Sequence, residues 1–223
     1  MGQAIGGSIT FALGIAISPI PIIAVILMLL SKKAGANSLA FAAGWVLGVA
    51  GVTAVVIAAS GAIGAGTSNS PSHGASIVKL VLGALLLVLG LRNWRARPKA
   101  GEPAPLPKWL QAIEAITPAK SVGLGLLLSA ANPKNLIMAI GGGLAIAQAP
   151  TSNGGMAVAA LIFVALAVST VVVPVILYHS LGARAERILN PLNAWLQANN
   201  SAVMAVLFLV IGVVLIGKGI SGF

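Results

Sequence analysis

The residues with the most chemistry to offer form one short run, Asn132-Pro133-Lys134-Asn135, inside an otherwise apolar stretch. Counting about 13 residues from the basic end of that stretch at roughly 1.5 Å each puts Lys134 near 20 Å deep in a bilayer. At that depth the stem of a lysine does not carry its ammonium comfortably to water. The ammonium therefore needs partners, and three kinds are open: backbone carbonyls freed by a helix break, water, or an anionic ligand group such as sulfate, phosphate or carboxylate. Asn132 and Asn135 can donate and accept beside it. A second polar interruption, Ser18-Pro19-Ile20-Pro21, offers a hydroxyl from an earlier apolar run. Two roles for Lys134 remain open on these grounds, a structural clasp pinned by carbonyls and a substrate or coupling group.

What the chain lacks is as informative. Its three acidic residues, Glu102, Glu114 and Glu186, all fall in polar connecting segments. No carboxylate is left inside an apolar run to bind a metal cation or carry a proton. Zero cysteines exclude a thiol relay, and two separated histidines, His73 and His179, make no metal cluster. His73 reads as a loop residue and His179 as a helix-end residue. No Ser-His-acid set, phosphate loop or paired carboxylate suggests an enzyme, so no catalytic residue, metal site or cofactor is expected.

The elements that must position Lys134 follow from composition. Hydrophobic residues make up 58% of the 223 and charged ones only 7%, against roughly a quarter charged in a soluble domain. Apolar runs near the length that spans a bilayer occupy residues 8–30, 39–62, 75–91, 122–149, 156–178 and 202–220. The expected fold is an all-α membrane protein with six transmembrane helices. The third run is the shortest and carries Lys79, so a five-helix reading stands beside it. The absence of Lys or Arg before the first run argues against a cleaved signal peptide.

Charge placement supplies an orientation. Lys32, Lys33, Arg92, Arg95, Arg97, Lys99, Lys108, Lys120, Arg184 and Arg187 fall in alternate loops, and the other two loops carry no Lys or Arg. The positive-inside rule then puts the basic loops in the cytoplasm and both termini outside a plasma (inner) membrane. The net charge of +10 is a topology signal that anionic lipid headgroups would neutralise, and nucleic acid is not an expected partner.

Three helices per half make the halves run in opposite directions. Residues 1–94 form the first three-helix repeat, 95–119 a cytoplasmic linker and 120–223 the second repeat. The linker holds five prolines; within it 108–117 could form an interfacial helix presenting Trp109, Leu110, Ile113 and Ile116, and 183–200 could lie on the same surface through Ile188, Leu192, Trp195 and Leu196. Trp94, Trp109 and Trp195 suit interface anchors. Helices one and four should both break at their prolines, freeing carbonyls around residues 15–18 and 129–131. Bare backbone at that depth requires cover by protein or a water-filled cavity, and paired interruptions in inverted halves point to a transporter binding site. Gly44 and Gly48 suit close helix packing. Gly141, Gly142 and Gly143 suggest a flexible or unwound segment, and Pro174 a hinge or a plain kink.

The Ser-Pro-x-Pro turn, the Asn-Pro-Lys run and the 3+3 layout resemble the lysine exporter (LysE) superfamily of small inverted-repeat exporters over nearly the whole chain. Within it, Ala131-Asn132-Pro133-Lys134-Asn135 followed by Gly141-Gly142-Gly143 is most similar to the mycobacterial peptidoglycolipid or sulfolipid addressing proteins, the GAP family. Amino-acid exporters of the superfamily carry Pro-Gly-Pro where this chain has Pro19-Ile20-Pro21, which weighs against an amino-acid substrate. The resemblance implies a homodimer and export of an amphipathic or anionic envelope glycolipid, with Ser18, Pro19, Pro21, Asn132, Pro133, Lys134 and Asn135 framing the path. Export of an amino acid or small organic ion, and a non-transporting adaptor for a larger lipid-export machinery, are the alternatives.

Overall fold

A computed structural model describes residues 1–31, 33–62, 73–97, 110, 113 and 116–221, with backbone alone at 61–62, 73–75, 78–79 and 183. Among these every regular element is helical: α1 (Gly2–Ala16), α2 (Pro19–Leu29), α3 (Ala34–Ala62), α4 (His73–Arg95), α5 (Pro118–Leu126), α6 (Pro133–Ala147), α7 (Asn153–Leu181) and α8 (Glu186–Ile220). One π turn, Leu127–Ala131, joins α5 to α6, and one 3-10 turn, Gly182–Ala185, leads into α8. Large apolar side chains lie on the outside as well as the inside, Leu161 at 70% and Val213 at 62% exposure among them. An apolar exterior on helices of this length is what a bilayer, not water, stabilises.

Three helices, over Ala34–Ser60, Asn153–Leu181 and Glu186–Ile220, are long and apolar enough to cross a membrane, and a fourth span arises if α1 and α2, bent by 53°, count as one. The remaining apolar segments are shorter. Pro118–Ala131 and Pro133–Ala147 each fall below spanning length, and α4, expected as the third span, carries Lys79, ends in Arg92 and Arg95 and is not among the helices long and apolar enough to cross.

Three helix starts, those of α2, α5 and α6, obey one local rule. Ser18-Pro19, Thr117-Pro118 and Asn132-Pro133 each put a small polar residue at the N-cap and proline at the first helical position, where its missing amide costs nothing. Thr117 accepts from the Lys120 amide at 3.5 Å and Asn132 from the Lys134 amide at 3.1 Å. Ser18 makes no such cap, because its hydroxyl is engaged elsewhere.

Glycine decides which helices touch. A Cβ on Gly44 would strike the Val122 carbonyl, and one on Gly48 the Ser129 hydroxyl, so α3 lies directly along α5 and the π turn. The antiparallel pair α4 and α8 meets through Gly83 against Gly212 and Ile216, Gly90 against Leu209, and Gly219 against Leu80. The three glycines of α6 are also packing residues, which corrects the unwound segment expected there. The helix is continuous from Pro133 to Ala147, and each glycine receives a different neighbour: Phe11 at Gly141, Phe163 at Gly142, Val56 at Gly143. Pro174 sits inside continuous α7.

The Asn37 amide donates to the Ile116 carbonyl at 2.9 Å, and a Cβ on Gly35 would lie 3.3 Å from His179 Cε1, so the segments bearing Lys33, Lys120, Arg184 and Arg187 share one end. At the other end Lys218 Nζ lies 3.4 Å from the Gly7 carbonyl, bringing the two termini together. His73, read as a loop residue, is the first residue of α4, while His179 ends α7 as expected.

Two surface assignments are corrected. Trp109 and most of 108–117 lie outside the described residues, but Leu110 and Ile113 are buried in the core rather than presented to an interface. The 183–200 segment does not lie apart as a separate element either; from Glu186 it is continuous with the last span in one 35-residue helix. On it Ile188, Leu192 and Trp195 are exposed, whereas Leu196 is buried. Trp94 is 44% exposed, with Arg97 3.9 Å above its ring.

Candidate functional site

The α1–α2 break begins at Ile17, and there the helix ladder fails in a specific way. In an unbroken helix the carbonyl of Ile17 would accept from the amide of residue 21, and Pro21 has none. Lys134 Nζ supplies the proton instead, at 3.0 Å. The Ala16 carbonyl, one residue back, accepts from the Ser18 amide at 2.9 Å and from Thr170 Oγ1 at 2.7 Å. The expectation of freed carbonyls at 15–18 is therefore met at 16 and 17, each covered by a side chain from the second half of the chain.

The second break mirrors this economy. The π turn at 127–131 takes up the extra residue before Pro133. The carbonyl that needs outside help is that of Leu128, just before the 129–131 expected, and Asn135 Nδ2 donates to it at 2.8 Å.

The two breaks meet. Ser18 Oγ donates to Asn135 Oδ1 at 3.0 Å and accepts from Lys134 Nζ. Ser18, Lys134 and Asn135 are all buried, Lys134 at 5% exposure. The lysine thus uses two of its three protons on Ile17 O and Ser18 Oγ, and no carboxylate approaches it among the described residues. A buried ammonium held only by neutral acceptors keeps a large residual demand for an anion. Among the described residues no group of His, Cys, Asp or Glu could hold a metal ion.

Not every residue of the expected set joins the network. Pro19 and Pro21 are buried and shape α2, Asn132 caps α6 from a half-buried position, and Pro133 is exposed. Thr170 was not foreseen, since a threonine within a long apolar helix ordinarily bonds its own preceding turn. Its position four residues before Pro174 was the only signal available.

Beside the network, on the other face of α1, an apolar cleft of about 520 Å³ runs between α1 and α8. Leu13 and Ile17 form one wall, and Trp195, Val203, Val206 and Val210 the other. Ile17 belongs to both places: its carbonyl holds Lys134 and its side chain lines the cleft.

Long apolar helices with an apolar exterior, two helix breaks joined by a buried cation, and basic loops gathered at one end define a polytopic α-helical membrane protein. The family described as Sap, sulfolipid-1-addressing protein, matches residues 9–221, and the chain belongs to that family. No curated protein and no solved structure matches the chain at a significant level.

Proposed function

We propose that the protein is a transporter that moves an amphipathic, anionic cell-envelope glycolipid across the plasma membrane. The observation that carries this reading is Lys134, a buried cation with no carboxylate beside it among the described residues, poised where two broken helices meet. An anionic headgroup would offer the ammonium an acceptor of opposite charge, which the neutral Ile17 carbonyl is not. Exchange of Ile17 O for a headgroup oxygen would loosen the joint between α1 and α6, which is the movement an alternating-access or lateral-groove mechanism needs.

Family membership supports a lipid-related role, and sulfate is an anion of the kind Lys134 would take. The finer architecture belongs to the same proposal: six spans in two inverted three-helix halves, similar to the LysE superfamily, with basic loops in the cytoplasm, both termini outside and two copies per assembly. Reciprocal packing supports the inversion. Helix α3 packs on α5 and α6 as α7 packs on α1 and α2, and α4 pairs with α8 across the halves.

The test is reconstitution of purified protein alone in liposomes, following transfer of a fluorescent sulfated glycolipid between leaflets. Transfer above that of empty vesicles is expected. Absence of transfer, with folding intact, would leave the adaptor reading, and transport of an amino acid instead would overturn the lipid assignment.

A further inference from the structure

The cleft between α1 and α8 has an order of residues along it that the Lys134 site does not explain. At the basic end of the bundle Arg184 and Arg187 are exposed, in the turn before α8 and in its first turn. Next comes Trp195, 54% exposed, with Asn199 one helical turn further on, both lining the cleft. Beyond them the wall is aliphatic through Val203, Val206 and Val210. From Trp195 to Val210 is about 22 Å of helix at roughly 1.5 Å per residue. Cation, then an amphipathic ring with an amide, then hydrocarbon is the order in which a membrane lipid presents phosphate, glycerol region and acyl chain. The cleft volume of about 520 Å³ is of single-ligand size.

We infer that this cleft is a seat for one acyl chain of an anionic membrane lipid, its headgroup held at the Arg184 and Arg187 end. The seat is distinct from the Lys134 network, since none of Ser18, Lys134 or Asn135 lines it. It rests on the protein spanning a bilayer and not on the transport reading, so failure of transport leaves it standing. Ile17 gives it a consequence, because a chain pressing on that side chain acts on the residue whose carbonyl holds Lys134.

Trp195 is a built-in reporter. The full-length protein is placed in phosphatidylcholine vesicles containing a minor fraction of either dibrominated phosphatidylglycerol or dibrominated phosphatidylcholine. The Trp195 contribution is the fluorescence difference between wild type and Trp195→Phe. The seat predicts stronger quenching of that component by the brominated phosphatidylglycerol at equal bromine. Ala202→Phe, which fills the cleft wall, should abolish the difference. Arg187→Gln should lower the preference by about fivefold, the factor one surface cation supplies, with Arg184→Gln acting likewise. Melting of each variant in detergent checks that it is folded. Adding unbrominated sulfated glycolipid separates two sources of the same chemistry: relief of quenching means an envelope glycolipid chain takes the seat, and no relief means a resident phospholipid does. Equal quenching by both brominated lipids would reduce the cleft to ordinary bilayer contact and overturn the inference. So would absence of quenching together with cross-linking of Val206→Cys between two copies, which would make the cleft a subunit interface.

Discussion

Ser18 and Asn135 stand 117 residues apart in sequence and are joined by a 3.0 Å hydrogen bond in the buried centre of the molecule. Ser18 opens α2 and Asn135 lies in the first turn of α6, so the bond ties one helix break to the other. Each residue also serves the other's neighbourhood: Ser18 accepts from Lys134, and Asn135 covers the Leu128 carbonyl before the second break. The breaks are therefore one structural unit and not two independent kinks.

A double-mutant cycle between Ser18→Ala and Asn135→Leu should show this. The two changes remove the same bond, so their stability losses should fall short of additive by about 0.5 to 3 kcal/mol. Thermal unfolding in a single detergent is the measurement, and additivity within error would mean that the breaks are energetically separate.

Glycine positions give a sharper stability test because matched controls lie beside them. Gly44→Ala and Gly125→Ala each drive a Cβ into backbone, at the Val122 carbonyl and at Phe41 and Trp45 respectively. Each should cost about 1 to 3 kcal/mol by overpacking. Gly51→Ala and Gly123→Ala meet nothing within 4 Å and should be neutral or slightly stabilising. A uniform response across the four would show that helix propensity, not contact, sets these sites.

Much of the centre was legible in sequence because proline has a fixed consequence. A residue without an amide orphans a particular carbonyl, and Pro21 and Pro133 marked both breaks in advance. A freed carbonyl was among the partners open to Lys134, and Ile17 O is the one it takes; the cover of the Ala16 carbonyl by Thr170 was not legible, since Thr170 reaches α1 from a distant part of the chain. The glycine run 141–143 misled for a related reason. Propensity counts what a helix loses by having glycine, whereas the close approach of Phe11, Phe163 and Val56 is a tertiary fact. The amphipathic reading of Leu110 and Ile113 failed likewise: an apolar stripe fits a membrane interface and a protein groove equally well, and here the protein buries it.

Orientation can be tested on a chain that has no cysteine of its own. Single cysteines at Ser152 and Ser221 should react from outside the cell with an impermeant thiol reagent, and ones at Ala36 and Ala119 should not. The four positions are exposed and divide between the two ends of the bundle. Reversed labelling would invert the proposed topology while leaving the fold intact.

Divalent cations should neither stabilise the protein nor be carried. Hard cations need several oxygen ligands with charge among them, and the described residues gather no such group. A saturable rise in melting temperature at micromolar manganese or calcium would overturn this expectation.

Lys134 separates structural need from ligand capture. Lys134→Met keeps most of the stem but leaves the Ile17 carbonyl and the Ser18 hydroxyl short of a partner in a buried site. That should cost about 1 to 3 kcal/mol, offset in part by no longer burying a charge. If capture of an anionic headgroup is its further role, the Met variant should also lose the thermal stabilisation that wild type gains from a sulfated glycolipid. Lys134→Arg keeps the charge but places a larger planar fork where only 5% of the lysine is exposed. It should therefore fold less stably than wild type and yet recover part of the lipid response. The decisive comparison is the lipid-induced shift in melting temperature, read beside lipid transfer in liposomes for all three proteins. A Met variant that is destabilised but still gains the full shift and still transfers lipid would make Lys134 a clasp alone and remove it from the path.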